Sequence, residues 1–250
     1  MTGIFVGTSG WTYDDWQGRF YPPGVRGADR LEYYARHFPA VEVNATFYRP
    51  PSQAMINSWN RRLGPSFHLV VKGHRSVTHL KKLAGVEGLV ADFLERALAL
   101  ERLQVILWQL PPSLHKDLGR LEGFLELLPA GVRHAVEFRH RSWWDEGTYA
   151  RLEKFGVAFT AVSHPRLPGE VIPTADFLYL RFHGLGPTLY LYDYSGEELE
   201  GWAEKVGPHL AGRTVYAFFN NDYLAYAVNN ALVFAKLLKA KLGGSKWQET

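Results

Sequence analysis

The chain has 250 residues, 46% apolar and 21% charged, with a formal charge of +3 and no cysteine. That length suits one large barrel or two ordinary domains with a full core, and the balance excludes a disordered chain. The missing cysteines exclude a disulfide framework, a zinc–thiolate or iron–sulfur site and a cysteine nucleophile.

MTGIFVGTSG has neither the basic start nor the apolar stretch of a secretory leader, so the cytoplasm is the expected compartment. No apolar run approaches the ~20 residues of a membrane helix, so no membrane partner is expected. An isoelectric point near 9 favours anionic ligands weakly, because the basic residues are scattered. Eight Trp and thirteen Tyr are a rich supply of rings for stacking on sugars or bases, or for filling a core.

Strands and helices alternate along the chain. Ile4 to Gly7 is a short apolar run, followed by an aromatic loop from Thr8 to Gly24. A helix begins near Asp29, which suits an N-cap, with Leu31, Tyr34, Ala35 and Phe38 on one face. Ala40 to Tyr48 is a second strand with its exit. Pro50, Pro51 and Ser52 open a helix whose apolar face is Met55, Ile56, Trp59 and Leu63. Phe67 to Arg75 is the third strand, and Leu89, Val90, Phe93, Leu94, Ala97 and Leu98 mark the next helix.

The fourth strand, Leu103 to Pro112, stops at two prolines. A stripe of Leu118, Leu121, Leu125 and Leu128 follows. The fifth strand is AVEFRHRSWW, Ala135 to Trp144, an apolar run that carries Glu137 and Arg139. A charged pair in a core strand is costly unless it is satisfied, so this stretch marks a site. A short helix with Tyr149, Leu152 and Phe155 leads to the sixth strand, Val157 to Val162. There the alternation breaks. Ser163 to Asp176 holds three prolines and no helical period, which predicts a missing or reduced sixth helix.

Phe177 to Gly184 is the seventh strand, followed by a Gly- and Tyr-rich loop. Ser195 and Glu198 read as a capping box for the next helix. Thr214 to Asp222 is the eighth strand and its exit, with Asp222 placed to cap the last helix. Eight strand–helix units, one lacking its helix, predict an α/β fold: a TIM-type (β/α)8 barrel over residues 1–242, with 243–250 as a loose tail. An open doubly wound sheet is the alternative, but no G-x-G-x-x-G follows the first strand.

In a barrel of this kind the strand exits build the active face. Here nearly every exit carries a polar residue: Thr8 and Ser9, Glu42 and Asn44, Lys72 and His74, Gln109, Glu137 and Arg139, His164, Arg181 and His183, and Asn220 to Asp222. Glu42 and Glu137 are the candidate acid/base pair, as in glycoside hydrolysis. Lys72, ending VVKG, could act as a base, form a Schiff base, hold an anion or pair with Glu42. Arg139, Arg181 and His183 could grip a phosphate or carboxylate.

Ser9 reads as a turn residue, His79 as a group that reaches over the mouth or caps a helix, and Trp143 and Trp144 as a pocket wall. Glu42, Glu137, His183 and Asp222 could in principle hold Mg or Mn, but no metal-binding spacing is present, and no metal or other cofactor is expected.

GTSGWTYDDWQGRFYPPG, VEVNATFYRPP, VVKGHRSVTHLKKL, QLPPS, AVEFRHRSWW, YLRFHG and FFNNDYLAYAVNNA follow one another in the order seen in the domain-of-unknown-function 72 family, the YecE-like proteins. This resemblance spans essentially the whole chain. It implies a TIM-type barrel and brings no established activity. It adds Trp11, Phe47 and Tyr48 to the characteristic positions, which otherwise coincide with the exits above. Two departures stand out: Gln104–Val105 where the family often has Gly-Pro, and Ala225, expected within the last helix, where a glycine is usual.

The favoured reading is an enzyme for a small anionic or sugar-like substrate, acting by hydrolysis or isomerisation. Glu137, Glu42 and Lys72 are its candidate catalytic residues. Arg139, Arg181, His183, Asn44, Gln109, Asn220, Asn221, Trp11 and Tyr48 are its candidate binding residues. The alternative is a nucleic-acid or nucleotide binding module that stacks bases on Trp11, Tyr13 and Trp16.

Overall fold

The computed structural model describes residues 3–244. Eight strands form one parallel sheet: β1 (Ile4–Thr8), β2 (Ala40–Val43), β3 (His68–Lys72), β4 (Leu103–Gln109), β5 (Arg133–Glu137), β6 (Ala158–Ser163), β7 (Phe177–Phe182) and β8 (Thr214–Phe219). Their hydrogen-bonded order, β1-β8-β7-β6-β5-β4-β3-β2, is that of a (β/α)8 barrel opened between β1 and β2. The helices are α1 (Asp29–Ala35), α2 (Ala45–Tyr48), α3 (Gln53–Arg62), α4 (Glu87–Ala97), α5 (Leu118–Leu125), α6 (Glu146–Lys154), α7 (Gly196–Val206) and α8 (Tyr226–Gly244). Gly243 and Gly244 continue α8, and the rest of the expected tail lies outside the described residues.

The seam between β1 and β2 is closed by other means. One bridge joins Ser9 to Glu42, and Gly10 N–H donates to the Glu42 carbonyl at 2.8 Å. The Tyr34 hydroxyl of α1 accepts from Thr8 N–H at 2.8 Å and donates to the Ala40 carbonyl at 3.1 Å, so a side chain replaces the missing ladder bonds. Gly7 makes room for this: a Cβ there would lie 2.0 Å from the Ala40 oxygen.

No helix forms between β6 and β7. Pro165, Pro168 and Pro173 deny that stretch the N–H groups a helix needs. It is pinned instead by Thr174, whose hydroxyl accepts from Phe159 N–H at 2.8 Å and donates to the Val157 carbonyl at 2.7 Å.

Caps follow the expectations at some ends and not at others. Ser52 caps α3, and Ser195 with Glu198 makes a full capping box on α7. Asp29 is the first residue of α1 rather than its cap. The Asp222 side chain caps nothing. The carboxylate of Asp15, in the first loop, instead accepts from Leu224 N–H at 2.6 Å.

Ala225 sits in the turn before α8, not inside the helix, and has φ +63°. A Cβ in this left-handed region costs roughly 1–2 kcal/mol. Ala225→Gly is therefore expected to stabilise the protein by about 1 kcal/mol in urea unfolding, offset in part by the greater freedom of glycine in the unfolded chain.

The main core lies between the sheet and its helices, and a second fills the barrel with Val70, Leu107, Ala135, Tyr179, Tyr216 and Phe218 among others. At the entry end of the strands, Phe5 stacks on His68 at 3.6 Å, and His68 meets the Tyr216 hydroxyl at 2.9 Å. Side chains on a strand alternate between its two faces. The faces that bury Ala40, Val70, Leu107, Ala135 and Tyr179 inside the barrel therefore carry Glu42, Lys72, Gln109, Glu137 and Arg181 to its other end. Among the described residues no helix is long and apolar enough to cross a membrane.

Candidate functional site

Arg181 is the centre of the mouth. It is almost fully buried and bridges both glutamates: Nη1 donates to Glu137 at 2.5 Å, and Nη2 donates to Glu42 at 2.6 Å. Glu42 also accepts from the Ser9 hydroxyl and the Tyr179 hydroxyl, each at 2.7 Å. Glu137 accepts from Arg139 Nε as well. Burial opposes the charge on Arg181, but Glu137 and Glu42 outweigh it and push its pKa up. Burial would raise the Glu137 carboxyl, yet Arg139 and Arg181 outweigh it and hold the group well below the usual carboxylate range. Glu137 is thus an ionised, ion-paired carboxylate.

His183 joins the network from the same strand exit. Burial, and then Arg139, lower its pKa far below that of an ordinary imidazole. Its neutral Nε2 accepts from Arg139 Nη2 at 2.9 Å, and Nδ1 faces the Asn220 carboxamide at 3.2 Å.

Lys72 differs from its neighbours. It does not pair with Glu42, and among the described residues it forms no ion pair; Nζ donates to Gln109 Oε1 at 2.6 Å and lies 4.2 Å from the centre of the Phe47 ring. The residue is only 9% exposed. Burial and the adjacent Arg181 bring its pKa down to about 7, with Glu137 and Glu42 opposing the shift. His79, from a single π-helical turn after β3, packs edge-on against Phe47, 4.8 Å between ring centres. Burial and Lys72 lower its pKa to about 4, which leaves a neutral ring.

A cleft of about 450 Å³ opens beside this cluster. Gln109 and Arg139 form one wall, and His140, Arg141, His164, Arg166, Leu167 and Leu189 complete much of the rest. Burial and Arg139 lower His164 to about 4. The guanidinium groups of Arg139, Arg141 and Arg166 in the lining of the cleft suit a phosphate or carboxylate.

The structure brings Glu42, Lys72, Gln109, Glu137, Arg139, Arg181, His183 and Asn220 together. Asn44 follows Glu42 at the β2 exit, where its buried Oδ1 has no hydrogen-bond partner. Tyr48 is 66% exposed, with Arg75 over its ring at 5.9 Å. Asn221 is structural: its Nδ2 donates to the Tyr192 carbonyl and to Asn230, each at 2.7 Å. Trp11 packs edge-on against Trp59 in the outer core.

Trp143 is no pocket wall either. It stacks on Phe138 and donates to the Leu114 carbonyl at 2.8 Å, and Trp144 packs against Phe159. The conceivable metal set does not assemble: guanidinium groups occupy both glutamates, and among the described residues no three carboxylate or imidazole side chains gather to hold a metal ion.

Ser9 is a partner of Glu42 rather than a turn residue. Tyr179, not singled out from the sequence, has a legible signal: it precedes Arg181 by two, so both face inward. Arg166 lies in an irregular loop, where no periodicity points to it.

A family profile described as "Protein of unknown function DUF72" matches residues 5–249. The YecE protein of Escherichia coli K12, described as a UPF0759 protein, is 31% identical over 90% of this chain and 88% of its own length. The Bacillus subtilis UPF0759 protein YunF is 24% identical over 96% of both chains. A solved DUF72 family protein from Thermotoga maritima superimposes with TM-score 0.83 at 35% identity, covering 95% of this chain and 99% of that one. Another from Enterococcus faecalis gives TM-score 0.77 at 22% identity, covering 94% and 95%.

Proposed function

The chain belongs to the DUF72 family of proteins of unknown function, and we propose that it is an enzyme acting on a small anionic substrate at the barrel mouth, with Lys72 as its proton-transfer group. The observation that carries this is the pairing of Lys72 with a neutral carboxamide, Gln109, instead of a carboxylate. A buried amine with a pKa near the working pH is matched to taking up and returning a proton.

The sequence expectation gave that task to Glu137 and Glu42. Glu137, held ionised by Arg139 and Arg181, has no proton to donate at neutral pH and is a poor base while ion-paired. The two glutamates serve better as fixed counter-charges that aim Arg181 and Arg139. Proton abstraction beside a carbonyl, and hence isomerisation, fits this arrangement better than hydrolysis by paired carboxylates. The nucleic-acid alternative loses its stacking platform, because Trp11 and Trp16 are buried.

Competitive labelling with trace acetic anhydride between pH 5.5 and 10, read by peptide mass spectrometry, tests the proposal without a known substrate. Lys72 is expected to react with a midpoint near pH 7, where a surface lysine has a midpoint of about 10.4. If Lys72 titrates with the surface lysines, the assignment is wrong.

A further inference from the structure

We infer that Lys72 is also a nucleophile, forming an imine with a small aldehyde or ketone whose phosphate or carboxylate sits on Arg139, Arg141 and Arg166. This deepens the reading of Lys72 as a proton-transfer group and rests on it. Three features of the geometry carry the inference. Gln109 both lines the cleft and holds Nζ, so the amine stands one side chain behind the cleft wall. The Gln109 oxygen occupies one N–H of the amine and leaves its lone pair free. The Phe47 ring face, 4.2 Å from Nζ, stabilises the cation that a protonated imine becomes. The cleft arginines come from the β5 exit and the β6–β7 loop, and none of the three is an ion-pair partner of Glu42. Arg141 and Arg166 form no ion pair among the described residues, which leaves their charges for a ligand.

The step balances with groups already present. The amine lone pair attacks the carbonyl carbon, a C–N bond forms, and the carbonyl π pair moves to oxygen. The two amine protons pass to that oxygen, which leaves as water as the C=N bond closes, and a proton taken from solvent turns the imine into the iminium. A neutral amine is required, and the depressed pKa of Lys72 supplies one near pH 7. His79, neutral against Phe47, adds no second cation beside the amine.

The test is reductive trapping on the full chain. The protein is incubated at pH 7 with glyceraldehyde 3-phosphate, or with uncharged glyceraldehyde, in the presence of sodium cyanoborohydride, whose hydride fixes the iminium as a secondary amine. Peptide mapping is expected to place one adduct at Lys72, with the phosphorylated aldehyde favoured roughly tenfold at equal concentration. Lys72→Arg removes the adduct, and Arg141→Ala with Arg166→Ala removes the preference. Adducts spread over surface lysines, or equal labelling by the two aldehydes, would overturn the inference. The wild-type map decides this even if Lys72→Arg fails to fold. A Lys72 acetylation midpoint near 7 without an adduct sinks the imine alone, whereas an ordinary lysine midpoint sinks both readings.

Discussion

Arg181→Met is expected to lower the stability of the protein by roughly 3–5 kcal/mol at pH 7, the cost of breaking a buried ion pair by removing one partner. For a chain of this size that corresponds to a fall in Tm of about 6–20 °C. Methionine keeps most of the volume and removes the charge that Glu42 and Glu137 share. Glu42 retains the hydroxyls of Ser9 and Tyr179, and Glu137 retains Arg139, so neither is stranded completely. That is why the upper end of the range is not exceeded.

Adding Glu42→Gln and Glu137→Gln to Arg181→Met should return much of the loss, because the neutral amides no longer need a counter-charge. A thermal melt in which Arg181→Met falls by less than about 3 °C would show that the bridge does not hold the mouth together. Acid has a related effect in the wild type. The Glu137 pKa is depressed on folding, so its contribution is complete above the ordinary value of 4.5 and is lost as pH falls towards the folded value.

The same residues explain what could be read from the sequence. The barrel was legible because each apolar strand is followed by a stop and a helical period, and because three prolines between Ser163 and Asp176 can only shorten the sixth unit. Glu137 was legible as a costly charge inside such a strand, and Arg181 as a charged residue at a strand exit. Their pairing was not. It depends on β5 and β7 both turning inward on either side of β6, 44 positions apart in the chain.

Lys72 was visible as a lysine at a strand end. Its choice of Gln109 over Glu42 follows from Arg181, which already fills the space between the glutamates. The first loop misleads for a different reason. Its aromatic residues look available for stacking, yet Trp16 donates to the Asp222 carbonyl at 2.8 Å and Trp11 packs on Trp59, so the loop is a plug tied to the β8 exit. Composition reports rings, and only the packing says which of them face solvent.

Lys72 also makes stability depend on pH in a window where few groups titrate. Its pKa falls from 10.5 to about 7 on folding. Below pH 7 both states carry the proton and the buried charge is fully costly. Between pH 7 and 10.5 the unfolded chain binds more protons than the folded one, so stability rises with pH at up to about 1.4 kcal/mol per pH unit. The groups facing Nζ are Arg181, Glu137, Glu42, Arg139 and His79. Of these, Arg181 and Glu137 keep their charges across the window, and His79 is neutral throughout.

Above pH 10 the trend reverses. Partly buried Tyr13 and buried Tyr21 and Tyr34 have raised pKa values and resist the ionisation that favours the unfolded chain. The informative comparison is therefore wild type against Lys72→Met between pH 6 and 9.5. At pH 6 the methionine variant should be the relatively more stable of the two, having no buried ammonium. By pH 9.5 the wild type should have gained about 3 kcal/mol on it in urea unfolding. A constant difference between the two proteins across this range would mean that Lys72 keeps an ordinary pKa, and that the mouth of the barrel holds no neutral amine at physiological pH.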